Sequence, residues 1–369
     1  MPSDPATRAG AILDIDLDAI VANWRLLAEK AVPAQCAAVV KADGYGLGAA
    51  AVARLLQAAG CRLFFVATLD EGIGLRGALG PEPEIAVFNG ALPGAAAEFA
   101  AHRLIPVLND PGQIEAWKAQ AQSPAILHVD TGMSRLGLSA REFAALADDL
   151  PKNGIGWRAI ISHLACADTP DHALNEQQRA RFAAAARRMP GIPAGLAASS
   201  GIFLGPAYHF DLVRPGAALY GVNPQPGSPN PMRQVVRLSG KILQVREIDR
   251  GESVGYGAAH VMEKAGRTAT VAVGYADGWL RSLSHRGCGF IGGKRIPLLG
   301  RVSMDLVTFD VSAIEPALVY PGATVELLGA HYGVDDAASD AGTIGYEILT
   351  ALGARYHRIY RGPAKTNAS

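Results

Sequence analysis

The sequence predicts an α/β protein in which a (β/α)8 TIM-type barrel is followed by a C-terminal, mainly β domain. Three observations lead to this prediction. Strand-like and helix-like segments alternate through the first two-thirds of the 369 residues, as about eight βα units in roughly 200 residues. A Pro-rich linker (NPQPGSPNP, residues 223–231) then interrupts the alternation. The segments after the linker have the pattern of strands separated by Gly and Pro.

The barrel prediction depends on short apolar runs that each end in a turn signal and precede a helical pattern. The predicted barrel strands are Cys36–Val40, Leu63–Ala67, Ile85–Phe88, Ile105–Leu108, Ala125–Val129, Ala159–Ser162, Ala194–Ala198 and Ala217–Tyr220. The predicted helices include Asp18–Lys30, Ala49–Ala59, Pro93–Ala101, Gln113–Ala121, Ala140–Asp149 and Asn175–Met189. The alternative is an open doubly wound sheet, which usually has fewer strands and a Gly-rich first loop against a dinucleotide.

The domain boundary is predicted near residue 232, where the pattern changes. The barrel then covers residues 10–231 and the β domain residues 232–369, and the opening strand at 11–17 is a candidate to pair with the β domain. Predicted elements of the β domain are the strands Leu238–Ile248, Arg267–Val273, Gly289–Ile291, Ile296–Leu299, Leu306–Val311 and Thr324–Leu328, with one late helix, Gly342–Leu352.

Composition and charge exclude several classes of protein. The 34 Lys and Arg residues balance 34 Asp and Glu residues, so the chain lacks the basic excess of a nucleic-acid binder and the net charge of a disordered chain. No apolar run approaches the ~20 residues of a membrane span, and residues 1–10 contain no signal-peptide core. Four widely spaced cysteines argue against a disulfide framework or a structural zinc site. We therefore expect a cytoplasmic enzyme without a metal.

The sharpest local feature is VVKADGYGLG, residues 39–48, in which a buried strand ends in Lys41. The carboxyl ends of the strands form the active-site face of a (β/α)8 barrel, so Lys41 is expected at the mouth beside apolar walls. Loss of solvent lowers the pKa of a lysine and exposes the lone pair needed for attack on a carbonyl. An ordinary surface lysine after a strand is the competing interpretation when barrel position alone is considered.

Further ionisable groups follow other predicted strand ends. His128, Asp130 and Arg135 lie in HVDTGMSRLG after the fifth strand, and His163 lies in ISHLACAD after the sixth. The seventh and eighth strand ends carry SSG (residues 199–201) and RPGAALYG (residues 214–221), where barrels often bind phosphate. Each residue alone is better explained as structural, but together they form a ring of ionisable groups around one mouth.

Three motifs stand out in the β domain: SVGYGAAH (residues 253–260), GYADGW (274–279) and GRVSMD (300–305). Taken alone, the first two are best explained as hairpin turns with a packed tyrosine. Taken with VVKADGYGLG, DTGMSRLG, SHLACAD and RPGAALYG, in this order and at compatible spacing, they resemble the alanine racemase family. That family consists of pyridoxal-phosphate (PLP) enzymes with a fold-type III barrel and a C-terminal β domain.

The resemblance implies roles for individual residues. Lys41 would hold PLP covalently and act as the base on one face of the substrate, and the partner subunit's Tyr256 would be the base on the other face. Arg214 would contact the pyridine nitrogen and Arg135 the phenolic oxygen, while His163 would link Arg214 to Tyr256. The remaining implied positions are Tyr45, Ser200 and Gly216 at the phosphate, Arg135, Tyr275 and Met304 at the substrate, and Asp168, Arg281, Arg301 and Asp305 at the entrance.

Three positions depart from the family pattern. Family members often carry a lysine, modified to a carbamate, where this chain has His128, so we hypothesise that His128 is a neutral hydrogen-bond acceptor for Arg135. The usual Asn-Ser pair at the seventh strand end is Ser199–Ser200 here, which keeps the hydroxyl and changes the neighbouring amide. The tyrosine often found in a late SYR-type motif is Ala354, so any hydroxyl that it supplies elsewhere is absent or comes from Tyr356 or Tyr360.

The resemblance implies a homodimeric enzyme with shared active sites that interconverts L- and D-alanine, either for peptidoglycan synthesis or for alanine catabolism. A racemase with broader or shifted specificity, such as for serine, is the first alternative. A PLP-binding homeostasis protein is a second, but such proteins lack the β domain that carries Tyr256. A PLP decarboxylase of the same fold type is a third, and it would have a carboxylate where this chain has Arg214.

Overall fold

A computed structural model describes residues 4–118 and 124–362 of the chain. The chain forms two compact units. One unit is Ile20–Arg233, and the other combines the residues up to Ala19 with those from Gln234 onward. Among the described residues, no helix combines the length and the apolar character that crossing a membrane requires.

The Ile20–Arg233 unit is a parallel barrel. Seven strands pair in chain order, and the eighth pairs with the beginning of the first. On the other side of the eighth strand, the amides of Asp211 and Arg214 donate to the carbonyls of Ala194 and Ala197, both at 2.9 Å, which closes the ring. The (β/α)8 prediction is therefore confirmed, and the open sheet is excluded. The eight strands are Gln35–Cys36 continued by Ala38–Val39, Leu63–Val66, Glu84–Val87, Ile105–Leu108, Ala125–His128, Trp157–Ile161, Ala194–Gly195 and Leu212–Val213.

The prediction of the eighth strand at Ala217–Tyr220 is wrong. That segment is a buried 3-10 helix, and the strand is Leu212–Val213. The apolar run has the composition of an inner strand, which periodicity cannot distinguish from a short buried helix. The chain turns at Gly216 because the Ser199 hydroxyl accepts hydrogen bonds from the amides of Gly216 (3.0 Å) and Ala218 (3.2 Å). Arg214 therefore follows a strand instead of preceding one.

Helices connect the strands of this unit. Two begin with a capping box, Thr68 with Glu71 and Ser139 with Glu142, in which each side chain accepts from a backbone amide of the other residue. Residues 119–121 of the predicted helix Gln113–Ala121 lie outside the described residues. The helices are Leu17–Ala31, Ala49–Ala58, Leu69–Leu79, Ala96–Ala101, Pro111–Lys118, Ala140–Leu146 and Ala173–Arg187, with a single left-handed turn at Lys41–Tyr45 and 3-10 helices at Leu150–Lys152, Ser200–Leu204, Pro206–Tyr208 and Ala217–Tyr220.

The other unit is built on an eight-stranded sheet. The long strand Val236–Ile248 pairs antiparallel with the opening strand Ala11–Asp16, which also pairs parallel with the last strand, His357–Arg361. The remaining strands are Gly266–Val271, Cys288–Ile291, Lys294–Leu299, Val307–Asp310 and Thr324–Leu328, with a small separate hairpin of Ser253–Val254 and His260–Val261. Its helices are Pro5–Arg8, Val334–Ala341 and Gly345–Ala351, with 3-10 helices at Tyr256–Ala258, Tyr275–Asp277, Arg281–Leu283 and Pro316–Leu318.

Candidate active site

Lys41 begins a turn of left-handed backbone at the end of the first barrel strand. Ala42, Asp43 and Gly44 have φ values of 52°, 51° and 64°, and Tyr45 has a φ of 54°. Non-glycine residues rarely adopt this conformation, which costs about 1–2 kcal/mol per residue. Such strain persists only where surrounding contacts hold it, and it is typical of functional sites. The turn places Lys41 at the carboxyl end of the barrel.

The Lys41 amine is in an environment that favours its uncharged form. Burial first, and then the charge of Arg135, lower the pKa of Lys41, while the Glu71 carboxylate acts in the opposite direction. Its Nζ lies 6.0 Å from the centre of the Phe88 ring, which is part of the apolar wall expected beside a reactive lysine. A lowered pKa makes the amine lone pair more available for nucleophilic and general-base chemistry.

Tyr45 reaches from the same turn toward the eighth strand end. Its buried ring stacks on Tyr220 at a centroid distance of 4.7 Å, and the Tyr220 hydroxyl donates to the Val39 carbonyl at 3.1 Å. A Cβ built on Gly216 would overlap the Tyr45 hydroxyl, so only glycine permits this approach. Ser200 begins the 3-10 helix that follows the seventh strand. The structure thus gathers hydroxyls and amides from the first, seventh and eighth strand ends.

Arg214 is a buried cation at the end of the eighth strand. Its guanidinium donates to the carbonyls of Gly195 (2.8 Å) and Ser162 (2.5 Å). Burial lowers the pKa of Arg214 to about 10, which still leaves it charged at neutral pH. A buried charge is costly when its donors are not all used, so this guanidinium suits an acceptor or an anion in the mouth of the barrel.

His163 lies where the charges of the mouth converge. Burial, followed by the charges of Arg214, Arg135, His128 and Lys41, lowers the pKa of His163 to about 3. His163 is therefore uncharged at neutral pH, and Arg214 alone carries the positive charge of that pair.

His128, at the end of the fifth strand, is held by a residue that the sequence did not single out. Asn109 donates from Nδ2 to the carbonyls of Phe88 (2.9 Å) and Val107 (2.8 Å), so its Oδ1 faces His128 Nδ1 at 2.7 Å. Burial, followed by the charge of Arg214, lowers the pKa of His128 to about 4. The single ring proton of this neutral histidine therefore sits on Nδ1, and Nε2 carries a lone pair.

Arg135 lies in a loop organised by Asp130. The Asp130 carboxylate accepts hydrogen bonds from the amides of Gly132 (2.9 Å), Met133 (2.9 Å) and Ser134 (3.0 Å). Thr131 is tied to the sixth strand through a 2.7 Å contact between its hydroxyl and that of Ser162. The DTGMSRLG motif is therefore a preformed turn that presents an exposed Arg135.

In the other unit, Tyr256 lies at the tip of the small hairpin and is 75% exposed. Gly255 and Gly257 flank it with φ values of 77° and 71°, which glycine adopts without strain. The Arg301 guanidinium lies against the Gly257 backbone, since a Cβ there would be 3.2 Å from its Nη1. Tyr256 is therefore an exposed side chain on a defined turn.

Tyr275 and Met304 lie on two loops that are joined by backbone hydrogen bonds, from Tyr275 N to Ser303 O and from Ala276 N to Met304 O, both at 2.9 Å. Both side chains are exposed, at 42% and 54%.

Arg355, which sequence analysis missed, connects the same loops. Its guanidinium donates to both oxygens of the buried Asp277 (2.6 and 2.8 Å) and to Asp305 Oδ1 (2.7 Å). Asp277 in turn accepts from the Gly274 amide at 2.8 Å. This bidentate pair fixes the loop that carries Tyr275.

The predicted site residues are divided between the two units. The barrel unit carries Lys41, Tyr45, Arg135, His163, Asp168, Ser200, Arg214 and Gly216, and the β unit carries Tyr256, Tyr275, Arg281, Arg301, Met304 and Asp305. Asp168, Arg281, Arg301 and Asp305 are all exposed. The described part of the chain contains no group of three or more His, Cys, Asp or Glu side chains that could hold a metal ion.

The regions of this chain that match known proteins include both units. Residues 15–224 match the family model "Alanine racemase, N-terminal domain", and residues 235–360 match "Alanine racemase, C-terminal domain". The chain is 54% identical to the alanine racemase of Rhodospirillum rubrum over 362 residues (96% of this chain and 97% of that protein). It is 52% identical to the catabolic alanine racemase of Mesorhizobium japonicum over 360 residues (96% and 94%). The crystal structure of alanine racemase from Bartonella henselae with covalently bound pyridoxal phosphate has a TM-score of 0.92 at 42% identity, covering 96% of this chain and 100% of that one.

Proposed function

The chain belongs to the alanine racemase family, and we propose that it interconverts L-alanine and D-alanine with PLP, using Lys41 and Tyr256 as two bases. The observation that carries this proposal is the full-length family match joined to a lysine of lowered pKa at the mouth of the barrel.

The residues of the barrel mouth fit an anionic, ring-shaped cofactor. Lys41 would hold PLP covalently, and Arg214 would donate to its pyridine nitrogen from a buried position where two backbone carbonyls already orient the guanidinium. Tyr45, Ser200 and Gly216 would hold the phosphate, and Gly216 has the close approach to the Tyr45 hydroxyl that a side chain would block. Arg135 would contact the phenolic oxygen and the substrate.

Racemisation requires removal of an unactivated Cα proton and its return on the opposite face. PLP, when bound, draws electrons away from that carbon. Lys41 takes or returns the proton on one face of the substrate, and Tyr256 does so on the other. Neither the substrate nor a base therefore has to move to the opposite face. Arg214 keeps its proton because its pKa of about 10 lies above neutral pH, so it would donate a hydrogen bond to the pyridine nitrogen of bound PLP without protonating it. His163 is uncharged at neutral pH because burial and the neighbouring charges of Arg214 and Arg135 lower its pKa to about 3.

We propose that the active protein is a homodimer whose sites each combine Lys41 of one subunit with the partner subunit's Tyr256. The exposure of Tyr256, Tyr275 and Met304 on the β unit supports this arrangement, because large apolar side chains gathered on a surface are typical of interaction sites. Tyr275 and Met304 would leave room for a methyl side chain. Asp168, Arg281, Arg301 and Asp305 would line the entrance.

The four cysteines are free, which fits a reducing compartment, so the cytoplasm is the proposed location. There the product D-alanine would serve as a peptidoglycan precursor, or the reaction would serve alanine catabolism.

Racemisation of a panel of L-amino acids tests this function. Purified PLP-loaded protein is expected to convert L-alanine to D-alanine, with a kcat/KM for serine lower by about tenfold or more, since a pocket fitted to a methyl group penalises a larger, polar side chain. Chiral chromatography of the products measures the rates of racemisation of alanine and of serine. Equal rates for alanine and serine would favour the broader racemase, and no racemisation of any substrate would contradict the proposal.

His128→Ala is expected to weaken PLP binding and turnover by about tenfold, because a neutral Nε2 acceptor for Arg135 would be lost. Titration of the PLP absorbance and initial rates measure these effects. His102→Ala, which removes a surface histidine paired with Glu98, is the matched control and should behave as wild type. Unchanged PLP affinity and turnover in His128→Ala would exclude this role.

A further inference from the structure

We infer that Glu71 is a positioning residue for Lys41, holding the left-handed turn on which the lysine stands. The inference rests on the proposed function of Lys41 and adds a residue that neither the motifs nor the family comparison assigns.

One Glu71 carboxylate connects the ends of two barrel strands. Oε1 accepts from the Ala42 amide at 2.6 Å, directly after Lys41, and Oε2 accepts from the amides of Ala67 (2.8 Å) and Thr68 (3.3 Å) after the second strand. The Thr68 hydroxyl accepts from the Glu71 amide at 3.3 Å, which completes the helix capping box. Capping alone uses only the contacts within residues 68–71, so the bond to Ala42 is additional.

The turn needs an outside contact because it stores strain in Ala42, Asp43 and Tyr45. Its backbone hydrogen bonds include those from Gly44 N to Val40 O, from Gly46 N to Ala42 O and from Gly48 N to Asp43 O. They use the carbonyl of Ala42 and leave its amide pointing to Glu71. A second carboxylate, Asp43, accepts from Ala49 N at 2.8 Å and holds the far end of the turn against the next helix. Glu71 is thus the contact that fixes the peptide adjoining the reactive lysine.

Charge supports the same role. The Glu71 carboxylate raises the pKa of Lys41, against the lowering by burial and by Arg135, so the carboxylate and the amine are near enough to interact. A glutamine would present an NH2 group to the amides of Ala67 and Thr68, which are themselves donors. It could still offer one oxygen to Ala42. Glu71→Gln therefore removes part of the hydrogen bonding of the carboxylate, and Glu71→Ala removes all of it.

The test compares Glu71→Ala with Thr68→Ala, which removes the other half of the capping box and leaves the carboxylate on Ala42. Three properties of the full chain are measured: kcat and KM for L-alanine, hydrogen–deuterium exchange of the Ala42 amide, and the rate at which cofactor-free protein forms a borohydride-reducible link to added PLP. Glu71→Ala should lower kcat by about tenfold or more with KM within about threefold, speed Ala42 exchange by about tenfold, and slow PLP capture. Thr68→Ala should stay within about twofold of wild type, and Glu71→Gln should fall between.

Wild-type behaviour of Glu71→Ala in kcat and in Ala42 exchange would overturn the inference. So would equal losses in Thr68→Ala, because they would assign the effect to helix capping. If Glu71→Ala does not fold, Glu71→Gln decides by the same criteria. A wild-type protein that captures no PLP and racemises no alanine would instead refute the proposed function, while Ala42 exchange would still test the contact.

Discussion

Lys41→Ala is expected to abolish the borohydride-reducible link to PLP and to lower alanine racemisation by about 10³-fold or more. The substitution removes both the covalent attachment of the cofactor and one of the two bases, and a positioned general base alone contributes about 10²–10⁴-fold. Burial and the charge of Arg135 lower the pKa of this lysine, and its Nζ lies 6.0 Å from the centre of the Phe88 ring.

Mass spectrometry of the reduced protein and initial rates in both directions measure the two effects. Lys30→Ala is the matched control, because Lys30 also lies near an aromatic ring of the barrel unit, with Nζ 5.0 Å from the centre of the Phe203 ring. That variant should retain the wild-type link and rate. A reducible link in Lys41→Ala at the stoichiometry of wild type would refute the assignment of Lys41.

Tyr256→Phe is expected to lower kcat/KM by about 10²–10⁴-fold equally in both directions, because L- and D-alanine have the same free energy. Exchange of the Cα proton with solvent distinguishes the roles of the two bases. We assign removal of the Cα proton of L-alanine to Tyr256, so in D2O this substrate should lose almost all exchange at Cα in the variant. D-alanine should still gain deuterium without racemising, because Lys41 serves that face alone.

Proton NMR of the Cα signal and chiral analysis of the same samples measure exchange and racemisation together. Tyr320→Phe, at another exposed tyrosine of the β unit, is the control and should leave both unchanged. If exchange in Tyr256→Phe fell equally for the two enantiomers, the assignment of one base to each face would be wrong.

Much of the fold was predictable from the sequence because each barrel strand is a short apolar run with a turn after it. The strand at Ile105–Leu108 was predicted with its observed bounds, and so was Thr324–Leu328 in the β unit. The failure at Ala217–Tyr220 has a local cause. Four apolar residues fit a strand by composition, and the Ser199 hydroxyl that turns the chain there lies 17 and 19 residues from its partners.

The candidate site was predictable where its residues are adjacent in the sequence and form a motif, as in the run around Lys41. It was not predictable where a side chain acts on distant backbone or on a distant charge. Asn109 fixes His128 through its amide, and Arg355 reaches Asp277 across 78 positions. Glu71 looks like an ordinary capping residue until its contact with Ala42, 29 positions away, is known. Such contacts have no sequence spacing to identify them.

Subunit complementation tests the central claim, that each site joins Lys41 of one chain to the partner subunit's Tyr256, most directly. Equal amounts of Lys41→Ala and Tyr256→Phe chains are allowed to exchange subunits. Random pairing makes about half of the dimers heterodimers, and one of the two sites in each keeps both bases. The account predicts recovery of about a quarter of wild-type racemase activity. Activity that stays at the sum of the two inactive parents would contradict it.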